Sequence, residues 1–137
     1  MQNIIITGAS HGIGRALTKK LSKKYHIINI DIVENKMDKV DFYKCDLSDK
    51  SKLLKTIEKI KTNIDSLYAL INNAVLFSSK SLEKQTLEEW ENIISINLTA
   101  PYILSKEFAS MLKQSKGHII NISSTRASMS EAGTEAY

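Results

Sequence analysis

One cysteine, one proline and two arginines in 137 residues set limits before any motif is considered. With Cys45 alone the chain forms no internal disulfide, and a reducing cytoplasm is the expected setting. No apolar run approaches the ~20 residues that cross a bilayer. The opening Met1-Gln2-Asn3-Ile4 has no basic stretch ahead of a long apolar core, so no secretory leader is expected. Charge is the one imbalance, at +4, and it raises the question of nucleic acid. Arg15 and Arg126 are too few for that role, because arginine is the side chain favoured for bidentate contacts with phosphates and bases. The lysines divide between two expected helices. Lys19, Lys20, Lys23 and Lys24 lie on one, and Lys50, Lys52, Lys55, Lys59 and Lys61 on another, interleaved with Asp49 and Glu58. They read as solvated faces. Neither a nucleic-acid nor a membrane partner is expected, and no metal site is implied. Tight, salt-sensitive binding to any duplex is the result that would reverse the first of these readings.

What remains is ordinary for one globular domain. Hydrophobic residues make up 42% and charged residues 25%, and a chain of this length buries ~68% of its unfolded surface. Short apolar runs alternate with amphipathic segments. Ile4–Thr7, His26–Ile30, Phe42–Cys45, Leu67–Ile71 and Ile119–Ser123 read as five strands. The first, second and fifth are rich in isoleucine without polar alternation, the pattern of parallel strands covered on both faces. Ile13, Leu17 and Leu21 predict a helix over 13–24. Leu53, Leu54, Ile57, Ile60 and Ile64 predict another, with Ser48 as its N-cap. Thr86 and Glu89 form a capping-box pattern ahead of Trp90, Ile93 and Ile94, and Phe108, Met111 and Leu112 continue a fourth helical stripe. The alternation predicts an α/β fold, a doubly wound parallel sheet in a single domain over 1–137.

Three of the five glycines fall within one turn, Thr7-Gly8-Ala9-Ser10-His11-Gly12-Ile13-Gly14, between the first strand and the first helix. Glycines there allow positive φ, admit a pyrophosphate to the backbone and seat the helix against the strand. The unpaired N–H groups of the helix start favour an anion. The spacing G-x-x-x-G-x-G resembles the cofactor loop T-G-x-x-x-G-x-G of the short-chain dehydrogenase/reductase family. The resemblance runs from Ile4 to Tyr137 and implies a Rossmann-type fold that binds NAD or NADP. On that resemblance the loop residues Gly8, Ser10, His11, Gly12, Ile13 and Gly14 bind the cofactor.

Asp31 closes the second strand, 23 residues beyond Gly8. A carboxylate there accepts hydrogen bonds from the adenosine ribose of NAD and repels the 2′-phosphate of NADP. The plain structural role, a turn former at a strand end, stays open. His11 is a counter-signal, but an imidazole carries only part of a positive charge near neutral pH. NAD is therefore expected over NADP. The resemblance adds further cofactor positions. Asp46 and Leu47 match the pair beside the adenine, although Asp46 also suits an Asx turn. Asn72-Asn73-Ala74-Val75 is similar to the family's N-N-A-G, which brings Asn73, Ala74 and Val75 to the cofactor, and Ile122 of the fifth strand joins them. Val75 stands in place of a glycine, so crowding of the backbone is expected near the nicotinamide ribose.

The same resemblance assigns the chemistry. It implies hydride transfer between the nicotinamide and an alcohol/carbonyl substrate. Ser124 orients the substrate oxygen, Ser123 lies by the cofactor, and Tyr137, 13 residues beyond Ser124, donates or accepts the proton. An ordinary phenol, of pKa ~10, is phenolate in only about one part in a thousand at neutral pH; family members lower that pKa with the lysine of Tyr-x-x-x-Lys. Asn97 is the third catalytic candidate. Pro101 has no N–H to donate to the Asn97 carbonyl, which is left able to hold a water. Either the helix runs through this point, or a new helix starts with Thr99 as its cap. The chain finishes before the family's lysine and sixth strand, so a domain cut short at its C-terminus is the expectation, with trace turnover at this length. A non-catalytic dinucleotide-binding module is the other reading. Family members are usually homodimers or homotetramers, assembled in part through a helix matching Thr99 to Ser115 here.

Overall fold

The computed structural model describes residues 1–34, 36–129, 132–134 and 136–137. Five parallel strands form one sheet: β1 (Asn3–Thr7), β2 (His26–Asp31), β3 (Val40–Lys44), β4 (Ala69–Asn72) and β5 (His118–Asn121). Their order is β3-β2-β1-β4-β5. The chain walks outward in one direction from β1 and then in the other from β4. β1 and β4 therefore flank the point where loops diverge and a crevice opens at the carboxyl ends of the strands.

The isoleucine runs follow from helices on both faces. Ile5, Ile28, Ile30 and Leu70 point to one side, where they pack with Leu53, Ile57 and Ile60 of α2 (Lys50–Asn63) and Leu104, Phe108 and Leu112 of α4 (Ala100–Gln114). Ile4, Ile6, Ile27 and Ile71 point to the other, against Leu17 and Leu21 of α1 (Gly12–Leu21). Because strand side chains alternate, a central strand covered twice needs apolar residues at every position. β5 departs from that expectation. It is the sheet's edge, and Ile119 and Ile120 remain 45% and 43% exposed.

Several boundaries move, those of β3, β4 and β5 by one or two residues. α1 starts at Gly12 and stops at Leu21, short of the expected 24. Asp49, not Ser48, caps α2, its carboxylate accepting from Lys52 N at 3.0 Å. Ser48 instead donates to Asp46 through both N and Oγ. The Thr86 capping box is present at the start of α3 (Leu87–Ile94), with reciprocal bonds of 3.2 and 2.9 Å. Between α3 and α4 the helix runs on through a π turn, Ser95–Thr99, and Thr99 makes no side-chain cap. Proline lacks a donor and its ring crowds the carbonyl four residues back; one wider turn relieves both.

Candidate active site

The carboxyl ends of all five strands contribute to one cleft of about 750 Å³. From the turn after β1 come Gly8, His11, Gly12 and Ile13. From the end of β2 come Ile30, Asp31 and Ile32, and beyond β3 lie Cys45, Asp46 and Leu47. The loop after β4 adds Asn73, Ala74, Val75 and Leu76, and the segment after β5 adds Ile122, Ser123 and Ser124, with Tyr137 beyond. A second hollow of about 530 Å³ adjoins it; Ala74, Val75, Ile122, Ser123, Ser124 and Tyr137 border both.

The glycine turn explains its own composition. Gly8 and Gly12 have φ of +66° and +50°, a region that L side chains avoid. Gly14 answers to close packing: a Cβ there would stand 2.2 Å from the Gly8 carbonyl oxygen and 2.5 Å from Asn73 Nδ2. At Gly12 a Cβ would meet nothing within 4 Å among the described residues, so the backbone there faces open cleft. The N–H groups of His11, Gly12, Ile13 and Gly14 have no acceptor among the described residues. His11, at the N-cap, provides no side-chain bond, and the first turn of α1 carries no acidic residue. An uncapped helix start facing a cleft is an anion-binding arrangement.

Thr7 and Asn73 fasten the loop after β4 to this turn. Thr7 Oγ1 accepts from the backbone N–H groups of Asn73 and Ala74, both at 3.0 Å. Asn73 Nδ2 donates to the carbonyls of Thr7 and Gly8 at 3.0 and 3.1 Å. Val75 adopts no positive φ and, 55% exposed, turns its side chain to the cleft that it lines. Asp31 is held by backbone donors: Ser10 N at 3.0 Å on Oδ2, with Ile32 N at 2.7 Å on Oδ1. Asp46 makes the Asx turn with Ser48 and still borders the cleft. Burial raises the pKa of the Cys45 thiol, which leaves a neutral sulfhydryl in the wall.

Two expected cofactor residues, Ser10 and Gly14, lie outside the lining of the larger cleft. Ser10 is buried, 1% exposed, and its hydroxyl is engaged with Val33 O and Asn29. Gly14 lies beneath the turn. Asn97 borders the second hollow, where its side chain accepts from Leu76 N at 2.8 Å and donates to Leu76 O at 2.9 Å. This two-way clamp uses the side chain of Asn97, whereas the missing Pro101 donor bears only on its backbone carbonyl. Asn97→Ala should loosen the loop that both hollows share. Amide hydrogen exchange at Leu76 is expected to accelerate at least tenfold, since one protein hydrogen bond is worth about 1 kcal/mol net and leaving its partner unsatisfied costs more. Unchanged protection at Leu76 would show the clamp to be idle.

On the substrate side, Ser124 is half-buried and its Oγ accepts from Arg126 N at 3.2 Å. The Tyr137 ring stands edge-on to Phe77, centroids 5.1 Å apart, and the Arg126 guanidinium lies 5.2 Å over the same Phe77 ring. Sequence reasoning passed over Phe77, Thr7 and Cys45. Of these only Thr7 left a trace, as the first residue of the glycine turn.

With this geometry in place, the comparisons carry the assignment. A family model for the short-chain dehydrogenases matches residues 2–137. The chain belongs to the short-chain dehydrogenase family. It is 37% identical, over 97% of its length, to an uncharacterized oxidoreductase of Thermotoga maritima, and spans 57% of that relative. In three dimensions this short-chain dehydrogenase is similar to 4-hydroxyisoleucine dehydrogenase complexed with NADH, with a TM-score of 0.92 and 31% identity, covering 100% of this chain and 62% of that one. It is also similar to a metagenomic short-chain oxidoreductase in complex with NADP, with a TM-score of 0.88 and 29% identity, covering 99% and 67%. The family fold is thus a Rossmann-type sheet whose members include NADH and NADP complexes.

Proposed function

We propose that this chain binds a nicotinamide dinucleotide along the larger cleft and belongs to an oxidoreductase acting on an alcohol or ketone. The observation that carries the reading is the uncapped start of α1, four N–H groups without acceptors among the described residues beside a glycine that leaves open space. Gly12 and Ile13 would hold the diphosphate, with Gly14 seating the helix start beneath them. Asp31, already oriented by backbone donors, would accept from the adenosine ribose, which favours NAD over NADP. Asp46 and Leu47 would border the adenine, and Asn73, Ala74, Val75 and Ile122 the nicotinamide half. When bound, the nicotinamide supplies the carbon that gives or takes the hydride. Ser124 would orient the substrate oxygen, and the Tyr137 hydroxyl would donate its proton in reduction and take it back in oxidation. Asn97 serves this arrangement through its hold on Leu76. The position of Ser124 and Tyr137 on the border between both hollows supports the reading, because cofactor and substrate must meet at such a border.

No helix among the described residues is long and apolar enough to cross a membrane. A reducing cytoplasm fits the buried lone thiol of Cys45. Exposed Leu98 and Tyr102, 64% and 65% accessible on the α4 side, support assembly with a second copy. The test is a titration of the isotope-labelled chain with NADH followed by amide NMR. The resonances of Gly12, Ile13 and Gly14 are expected to move most and to saturate. Saturating binding that leaves those three unmoved would refute the assignment.

A further inference from the structure

Seven consecutive backbone N–H groups run from Gly8 to Gly14, and the structure sorts them into two sets. Gly8 N donates to Ile30 O at 2.9 Å, Ala9 N to Asn29 Oδ1 at 3.1 Å, and Ser10 N to Asp31 Oδ2 at 3.0 Å. All three acceptors belong to consecutive residues at the end of β2. The next four N–H groups have no acceptor among the described residues, and His11, Gly12 and Ile13 line the cleft. The sorting depends on Asn29, the one polar residue between Ile28 and Ile30 in a strand interior, 1% exposed. Asparagine is poorly suited to strands, and an amide buried without partners is destabilising. Here both ends of the amide are paired. Ala9 N is a donor only, so the atom facing it is the amide oxygen. The amide nitrogen donates to Ser10 Oγ at 3.0 Å, and that hydroxyl passes its own hydrogen to Val33 O.

We propose that Asn29 is a positioning residue for diphosphate binding. Through Ala9 N and Ser10 Oγ it pins the first half of the glycine turn to β2, and only the second half is presented to an anion. The inference rests on the dinucleotide reading above and adds a residue that touches no ligand. If Asn29 merely filled the core, its loss would lower stability and weaken all ligands alike. If it shapes the turn, its loss falls on ligands that carry phosphates.

The experiment compares ADP-ribose with adenosine, each titrated into the 137-residue chain and followed by amide NMR. The chain is tested as parent, Asn29→Val and Ser10→Ala. For Asn29→Val the dissociation constant of ADP-ribose is expected to rise tenfold or more and that of adenosine less than twofold. Ser10→Ala, which keeps the Ala9 bond, is expected to give a threefold to tenfold loss confined to ADP-ribose. Should Asn29→Val fail to fold, Ser10→Ala decides alone. ADP-ribose affinity within twofold of the parent in the folded variants, or equal losses for both ligands, overturns the role of Asn29 and leaves dinucleotide binding standing. A parent chain that binds neither ADP-ribose nor NADH removes the dinucleotide reading, and this inference with it.

Discussion

Gly14→Ala is expected to destabilise the chain by roughly 3 kcal/mol or more, the upper range for forcing an atom into a packed site. The methyl group would stand 2.2 Å from the Gly8 carbonyl oxygen and 3.0 Å from Ala9 Cα. Both are backbone atoms that no side-chain rotation can clear. Either α1 lifts from the sheet or the turn after β1 deforms, and in both cases the N–H groups of the helix start lose their place in the cleft. Gly12→Ala is the matched control. Its φ of +50° makes alanine strained by about 1–2 kcal/mol, yet nothing among the described residues stands within 4 Å of the new Cβ. That variant should fold, while its methyl group projects where an anion would approach. Urea denaturation followed by Trp90 fluorescence, with an NADH titration alongside, separates them. Gly14→Ala should lose stability first, and Gly12→Ala affinity first. Equal stability for the two would mean that α1 does not depend on its close seat at Gly14.

The second large effect concerns Asp31. NADH is expected to bind at least tenfold more tightly than NADPH. The carboxylate gains charge-assisted hydrogen bonds of about 1.5–3 kcal/mol from a ribose, and a 2′-phosphate brings nearly two negative charges to the same spot. Asp31→Ala is expected to erase the preference without creating its reverse. The reason lies in the carboxylate's other task, because Asp31 Oδ2 holds Ser10 N at 3.0 Å. Removing it takes one of three ties from the glycine turn, so NADH should weaken tenfold to a hundredfold while NADPH gains little. Parallel titrations of both dinucleotides against parent and variant settle the matter. A variant that gained NADPH affinity as much as it lost NADH affinity would show that Asp31 selects the ribose and does nothing for the turn.

The order of elements was legible because its causes are local. Isoleucine runs flanked by helical stripes give a parallel sheet, and glycines at 8, 12 and 14 announce a turn whose backbone must do what side chains forbid. Asp46, Leu47, Asn73, Ala74, Val75 and Ile122 were expected only from the family resemblance, and they line the cleft because they sit at or beyond the ends of strands. What stayed hidden was the set of long-range polar contacts. Asn29 lies in an apolar strand and meets Ala9 and Ser10 only after β1 and β2 pair. Asn97 clamps Leu76 across 21 residues of sequence. Ser10 looked like a ligand-facing loop residue, and it is buried because Asn29 and Val33 together capture its hydroxyl. Boundaries shifted where two neighbours could serve equally well, as with Ser48 and Asp49 at the cap of α2. The edge position of β5 is a property of the whole sheet, and isoleucine content in one strand does not report it.

The π turn between Ser95 and Thr99 places one surplus residue between two helical segments that each have a face to hide. Ile93 is buried ahead of it, and Leu104, Phe108 and Leu112 are buried after it. Each residue advances an α-helix by about 100°. Deleting a single residue here would straighten the rod and swing one of those two faces by that angle, out of the interior and into water. The insertion therefore acts as a phase setter: it keeps both halves of the long rod correctly rotated while Asn97 sits at the joint.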